Sequence, residues 1–325
     1  MAIEMNLGYI SAEHAQNFEY PITIFTPTYN RAEKLKRAYR SLREQTYNQF
    51  EWLIIDDSST DETSSLVKQW QEEAEFPIRF HVQEATGKHQ AYNIAIRESK
   101  GELFVSLDAD DELFPNAVER LLELWGEIPD NRDDVVGISC LCADEEGNIN
   151  GEKFPEDRMF ANYFELRYKY KVTGDGIGCN RTSVLRQYPF PTPGNVRYVP
   201  ESTVGSEIAK EYNQYCVNEV LGIYHSEAEE QSDQLTKRKN TDDAKSFVIW
   251  HQKRLNEHLS WFRYDPMTFF ISAAGFTRHS FHTGEGPLTQ VGQLGSLGAR
   301  LLWALAFPVG YAAYVVDKWS GDDDM

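Results

Sequence analysis

The sequence predicts an α/β protein: a mostly parallel sheet covered by helices on both faces, followed by a helical C-terminal extension. Three observations carry this. Through the first 125 residues, short apolar runs of strand length alternate with stretches of helical period, the pattern of a parallel, Rossmann-like sheet with crossover helices. The strand-like runs end in carboxylates, most plainly in GELFVSLDADD, where Asp108, Asp110 and Asp111 follow Leu103 to Leu107 directly; ligands bind at such carboxyl ends. Toward the end of the chain, helical patterns stand without strands between them.

In order, residues 1–19 read as a loosely ordered leader. The run 22–26 (ITIFT) is a first strand closed by Pro27. Asn30 is a candidate N-cap for a helix with Leu35, Ala38 and Leu42 on one face. FEWLII at 50–55 is a second strand, stopped by the turn-forming cluster DDSSTD at 56–61. A helix bearing Leu66, Val67 and Trp70 opens around Thr60, Asp61 and Thr63. A short strand at 78–82, a Gly87-Lys88-His89 loop and a helix at 90–99 precede the strand that ends in the acids. A helix at 115–125 and a strand at 135–143 follow. The rhythm then weakens to about residue 200, and this irregular part, with Phe154, Phe160, Tyr163, Tyr168 and Tyr170, reads as the acceptor-facing half of the same domain. A helix at 201–212, a strand at 217–224, a polar loop at 226–243 and a helix at 244–262 complete the order. The apolar run 301–316 is shorter than the ~20 residues a bilayer span needs and is interrupted by Pro308 and Gly310. It reads as a buried pair of short helices or as an interfacial segment, with a true span disfavoured. The expected organisation is a leader at 1–19, one catalytic domain at 20–230 with halves at 20–125 and 126–230, and a helical extension at 231–325.

A formal charge of −19 in 325 residues argues against a nucleic-acid partner, which calls for a basic stripe. Cys140, Cys142, Cys179 and Cys216 lack zinc-site spacing and form no disulfide framework, which suits a reducing cytosol. The polar N-terminus has no apolar signal core, so a cytoplasmic chain is expected. The three crowded acids repel one another unless a cation sits among them. They therefore point to a hard divalent ion and, with it, an oxygen-rich, phosphorylated ligand.

Four segments taken together, Thr26-Pro27-Thr28-Tyr29-Asn30-Arg31, the stretch from Leu53 through Asp56, Asp57 and Asp61, the stretch from Asn93 to Gly101-Glu102, and Leu107-Asp108-Ala109-Asp110-Asp111, resemble a family 2 glycosyltransferase of the GT-A fold. The resemblance is firm to about Trp125 and thinner to about Tyr224. It implies an inverting, metal-dependent transfer of a sugar from a nucleotide-diphosphate donor, expected to be UDP-linked, to a hydroxyl of a bacterial surface glycan or lipid-linked acceptor. The extension would then make peripheral contact with the inner face of the membrane.

The resemblance also implies site residues. Asp110 would ligate Mn²⁺ or Mg²⁺, with Asp108 at the ribose or the metal's water shell, and His225 a further metal ligand. Thr26, Pro27, Thr28 and Asn30 would line the nucleotide, Pro27 fixing the turn, and Asp57 would accept a hydrogen bond from the base. Lys88 is a mobile point charge suited to a diphosphate. An inverting displacement needs a carboxylate to take the acceptor's proton; Glu201, opening a helix after Pro200, is the first candidate and Asp175, between Gly174 and Gly176, the second. Members of the family more often carry paired acids where this chain has Glu201-Ser202. A nucleotide-sugar-binding module without catalysis is the competing expectation, and a sugar nucleotidyltransferase, which would carry glycines in 26–31, the weaker one.

Overall fold

Each apolar run becomes a strand: β1 (Tyr20–Thr28), β2 (Phe50–Asp56), β3 (Ile78–Val82) and β4 (Gly101–Ser106). In this computed structural model, which describes residues 18–174, 176–192, 199–225 and 241–319, they pair in parallel in the order β3-β2-β1-β4. All of β2 is buried, as a strand covered on both faces must be. On one side α1 (Ala32–Arg43) and α2 (Thr63–Glu73) bring Leu35, Leu42, Val67 and Trp70 against Ile22, Ile24 and Trp52. On the other, α3 (Lys88–Glu98) sets Ala91 and Ala95 on Phe25, Leu53 and Phe104. At the amino ends of the strands the wholly buried Glu51 accepts from Thr23 Oγ1 (2.6 Å), Lys100 N (2.7 Å) and Arg79 Nη1 (3.1 Å).

The chain continues through β5 (Glu112–Leu113), α4 (Ala117–Glu127), β6 (Val135–Ala143), β7 (Met159–Ala161), a turn of π-helix at Glu165–Tyr170, β8 (Gly178–Arg181), α5 (Thr182–Leu185), α6 (Ser202–Ile208) and β9 (Asn213–Ile223). β8 lies antiparallel between β4 and β6, β6 and β9 are parallel, and β5 and β7 both run antiparallel to β9. The sheet is thus parallel in its first half and mixed in its second. β8 carries no strand signal because it is only four residues long and begins at Gly178, where a Cβ would lie 2.0 Å from the Ile138 carbonyl oxygen.

The start of α1 differs from expectation. Asn30 does not cap α1; it sits in the left-handed region at φ 50°, and its Oδ1 accepts from Thr60 N at 2.7 Å. The first free N–H of α1, on Ala32, is satisfied instead by Asp61 Oδ2 at 3.0 Å, so the loop after β2 caps the helix after β1.

Among the described residues, four α-helices form the extension: α7 (Thr241–Glu257), α8 (Pro266–His282), α9 (Pro287–Gly292) and α10 (Leu297–Trp319). α8 starts where Asp265 caps Thr268 N and Pro266 occupies the first turn. Val248, Leu255, Phe269, Ala273 and Phe276 pack with Phe164 and Tyr168 of the π-helical segment and with Ala209 after α6. Polar bonds reinforce the seam: Trp250 Nε1 donates to Ser202 Oγ at 2.9 Å, Lys210 Nζ spans Glu207 and Glu257 at 2.8 Å each, and Lys253 pairs with Glu207.

The expected pair of short buried helices at 301–316 is a single helix. Pro308 lies inside it and withholds the N–H that would bond to the Ala304 carbonyl. Ala299, Leu302, Ala306 and Gly310 are buried, and Gly310 is close enough to α8 that a Cβ would lie 2.3 Å from the Ala274 carbonyl oxygen. Leu297, Leu301, Leu305 and Val309, four residues apart, and Val316 further on are more than half exposed, and form one outward stripe. Among the described residues, α10 alone is long and apolar enough to cross a membrane by length and composition. The expected leader through residue 17, residues 226–240 of the polar loop expected at 226–243, and the acidic tail lie outside the described residues; Thr241 already belongs to α7.

Candidate active site

Alternation along the chain turns the two outer acids of the D-x-D outward. Leu107 and Ala109 are buried, so Asp108 and Asp110 face the cleft, with side chains 40% and 20% exposed. Asp110 is pinned from α1 and its approach: Arg31 Nη1 lies 2.9 Å from Oδ2, and Arg37 Nη1 donates to the Asp110 carbonyl at 3.0 Å. On the far side, Glu112 and Leu113 pair with Ile223 and Gly222. The acidic turn is held from both flanks.

Asp108 has another partner. Gly87, at φ 96°, takes a backbone conformation that glycine adopts at no steric cost and starts α3 so that Lys88 reaches across the cleft. Lys88 Nζ lies 2.9 Å from Asp108 Oδ1 and 2.9 Å from Glu201 Oε1. Burial works against the ammonium, but attraction to Asp108 and Glu201 outweighs it and raises its pKa. Burial likewise disfavours the Asp108 carboxylate, and the Lys88 charge and hydrogen bond, with Arg31, hold its pKa below the usual range. Lys88 thereby joins the donor-side acid to the carboxylate that precedes α6, 113 positions along the chain. His89, next to it, is buried.

The remaining expected residues divide. Thr26 is wholly buried, and its Oγ1 accepts from Trp52 Nε1 at 2.9 Å; its side chain belongs to the core, not to a ligand. Pro27 lies beside it in β1, half-buried. The Thr28 hydroxyl is buried and has no hydrogen-bond partner among the described residues. Asn30 ties its turn to Ser59 and Thr60. Asp57 accepts from Gln83 Nε2 (2.6 Å), Thr86 N (2.9 Å) and Gly87 N (3.1 Å), and so shapes the loop that presents Lys88. Asp56, buried, holds the turn through Ser59 N at 3.2 Å. His225 is set between two carboxylates, with Nε2 2.8 Å from Glu112 Oε1 and Nδ1 on Glu145. With both nitrogens so engaged, neither is turned to Asp110. Asp175 lies outside the described residues.

Beside Glu201 a cavity of about 350 Å³ opens between the sheet and helices α3 and α6; Tyr92, Tyr163, Ser139, Asn180 and Gln214 line it. Of the aromatics expected to face an acceptor, only Tyr163 is there. Phe154 and Tyr168 are core, and Phe160 stacks on Tyr215 with Arg132 over its ring at 3.7 Å. Tyr92, one helical turn after Lys88, was legible from that spacing; Asn180 and Gln214 come from strands whose signal is weak.

The donor set suits a hard cation. Asp108 and Asp110 offer carboxylate oxygens, each matched by a protein cation, and Mg²⁺ or Mn²⁺ takes one or two carboxylates and completes its shell with phosphate and water. Among the described residues no three His, Cys, Asp or Glu side chains gather at ligating range.

A family model described as Glycosyl transferase family 2 matches residues 23–189. An uncharacterized glycosyltransferase of Nostoc sp. is 34% identical over 117 residues, 36% of this chain and 35% of that protein. The GalNAc(5)-diNAcBac-PP-undecaprenol beta-1,3-glucosyltransferase of Campylobacter jejuni is 29% identical over 209 residues, 62% of this chain and 64% of the relative. The chain spans about a third of the length of several curated relatives it matches. Among solved structures, S. aureus TarS 1-349 in complex with UDP-GlcNAc is similar with a TM-score of 0.56 at 15% identity, covering 92% of each chain. That likeness shows the fold, the GT-A arrangement of sheet and helices.

Proposed function

The chain belongs to glycosyl transferase family 2, and from that premise we propose that it transfers a sugar from a UDP-linked donor to a hydroxyl of a bacterial surface glycan or lipid-linked acceptor, with inversion. The observation that carries this reading is the Asp108–Lys88–Glu201 bridge, which gathers a donor-side acid, a cation and an acceptor-side carboxylate in one cleft. Asp108 and Asp110 would hold Mg²⁺ or Mn²⁺, and the bound ion would offset the charge gathering on the departing diphosphate. Arg31 and Arg37 keep Asp110 aimed while the donor enters. Lys88 leaves the carboxylates for the diphosphate oxygens, as a flexible point charge can. Glu201, released, takes the proton from the acceptor hydroxyl as its oxygen bonds to the anomeric carbon and the bond from that carbon to the diphosphate oxygen breaks. Inversion follows from a single displacement on the face opposite the leaving group.

The test is nucleotide release from a panel of sugar donors with Mn²⁺, with and without EDTA. Release that needs both a UDP-sugar and the ion is expected. Neither binding nor turnover with any donor would remove the reading.

The chain is further proposed to work peripherally at the cytoplasmic face of the membrane, the outward stripe of α10 lying in the lipid interface. The exposed Leu301 and Leu305 and the lipid-linked substrate in the Campylobacter relative's name support this. Flotation with neutral vesicles should carry the wild type and leave a Leu301→Ser/Leu305→Ser variant behind; equal flotation of both excludes the stripe.

A further inference from the structure

We propose that the cavity beside Glu201 seats one glycosyl unit and that Gln214, at its floor, reads a hydroxyl or N–H of that unit and so determines specificity. The inference rests on the transfer reading above and names the residue that selects the sugar.

Gln214 lies on β9, near the start of that strand. Its Nε2 donates to Asn180 Oδ1 at 2.8 Å, which fixes the plane of the amide. Its Oε1 is buried and has no hydrogen-bond partner among the described residues. A buried carbonyl oxygen left without a donor is destabilising, and the cavity that Gln214 lines gives a ligand access to that side chain. The surroundings suit a sugar ring: Tyr92 and Tyr163 offer flat apolar faces, while Ser139 and Asn180 add polar groups. The cavity is at the small end of the range for small-molecule sites, and Glu201 lines it as well. A glycosyl unit here therefore lies against the carboxylate proposed to take the acceptor's proton. Sites that hydrogen-bond a specific hydroxyl reject analogues lacking it by large factors. The unit has two sources, the terminal sugar of the acceptor or the sugar carried by the donor, and each leaves a different kinetic mark.

The experiment uses the full chain, wild type, Gln214→Met and Gln214→Glu, each checked for folding by thermal melt. UDP binding is measured by calorimetry, and transfer by UDP release with a panel of UDP-sugars and soluble alkyl glycosides. For Gln214→Met, UDP affinity within twofold of wild type is expected, with at least a tenfold rise in one KM. A rise in acceptor KM alone assigns the unit to the acceptor, and in donor KM alone to the donor. Gln214→Glu keeps an acceptor oxygen at that spot and should hold that KM within about threefold, the margin that separates retention of the contact from its loss. Both KM values unmoved in folded Gln214→Met, UDP affinity lost along with KM, or Gln214→Glu as impaired as Gln214→Met each overturns the inference. Wild-type turnover with an unmoved Gln214→Met removes this inference alone; a wild type inactive with every donor removes it together with the transfer reading.

Discussion

Replacing Lys88 by Met takes one positive charge out of the cleft and leaves its shape nearly intact. The magnitude follows from the bridge. With both carboxylates 2.9 Å from Nζ, a diphosphate oxygen taking their place would lie about 3 Å from that charge. At that range one unit of charge is worth about 1.4 kcal/mol in water and about 5.5 kcal/mol at an effective dielectric of 20. The Glu201 side chain is 65% exposed and that of Asp108 40%, so solvent screening pulls the value to about 1–2 kcal/mol. UDP should therefore bind Lys88→Met about five- to thirtyfold more weakly. Calorimetry with UDP and Mn²⁺ measures this directly, and the deficit should shrink as ionic strength rises and the screening length falls from ~30 Å at 0.01 M to ~3 Å at 1 M. Lys88→Arg, which keeps the charge, should recover most of the loss. Binding of UDP to Lys88→Met within twofold of wild type, or a deficit indifferent to salt, refutes the reasoning.

Glu201→Gln should bind donor as wild type does and lose about 10²- to 10⁴-fold in transfer rate; undiminished turnover clears Glu201 of the proton-accepting role. The extension should weaken in acid. Burial, with nearby cations, lowers His258 to about 3 and His279 to about 4, and drives His251 well below its usual value. The unfolded chain takes up these protons near pH 6.5 while the folded one refuses them. Stability is therefore full above about 6.5 and falls as pH drops toward 4, by up to about 4 kcal/mol per unit for three protons. Urea melts from pH 7.5 to 5 check the sign, and a flat or rising profile contradicts it. Glu51→Ala takes one of two carboxylates from Arg79, which keeps Glu98, and the acceptor from Lys100 N, and should cost about 1–3 kcal/mol in the same assay; a loss below about 0.5 kcal/mol would show that the network carries little.

The parallel half of the fold was legible because its strands are covered on both faces, and burial of that kind leaves continuous apolar runs. The same periodicity accounts for the burial of the Thr26 side chain: it shares parity with Ile22 and Ile24, whose face holds Trp52. Asn30 misled as a cap because Asn favours both caps and the left-handed region, and the choice was made by Thr60, thirty residues on. The span 301–316 misled because composition reports apolarity and not which side a neighbour covers; the inner face takes Ala299, Leu302, Ala306 and Gly310 and leaves Leu297, Leu301 and Leu305 outside. The Lys88–Glu201 and His225–Glu112 pairs join segments more than a hundred residues apart, and no local pattern encodes them. Gln214 stayed silent because an amide in a strand looks like any edge residue until its oxygen is seen without a donor.

Ser202, the residue that takes the Trp250 bond, follows Glu201 directly. The proposed base is thus steadied from behind by the helical unit that also bears the outward leucines, through side-chain bonds and a shared apolar core. Resting on lipid, that unit would act as a bracket: it would hold the cleft at one height and tilt above the bilayer, and only hydroxyls projecting to that height would come within reach. Selection by distance from the surface would then be built into the architecture, independent of which sugar the cleft prefers.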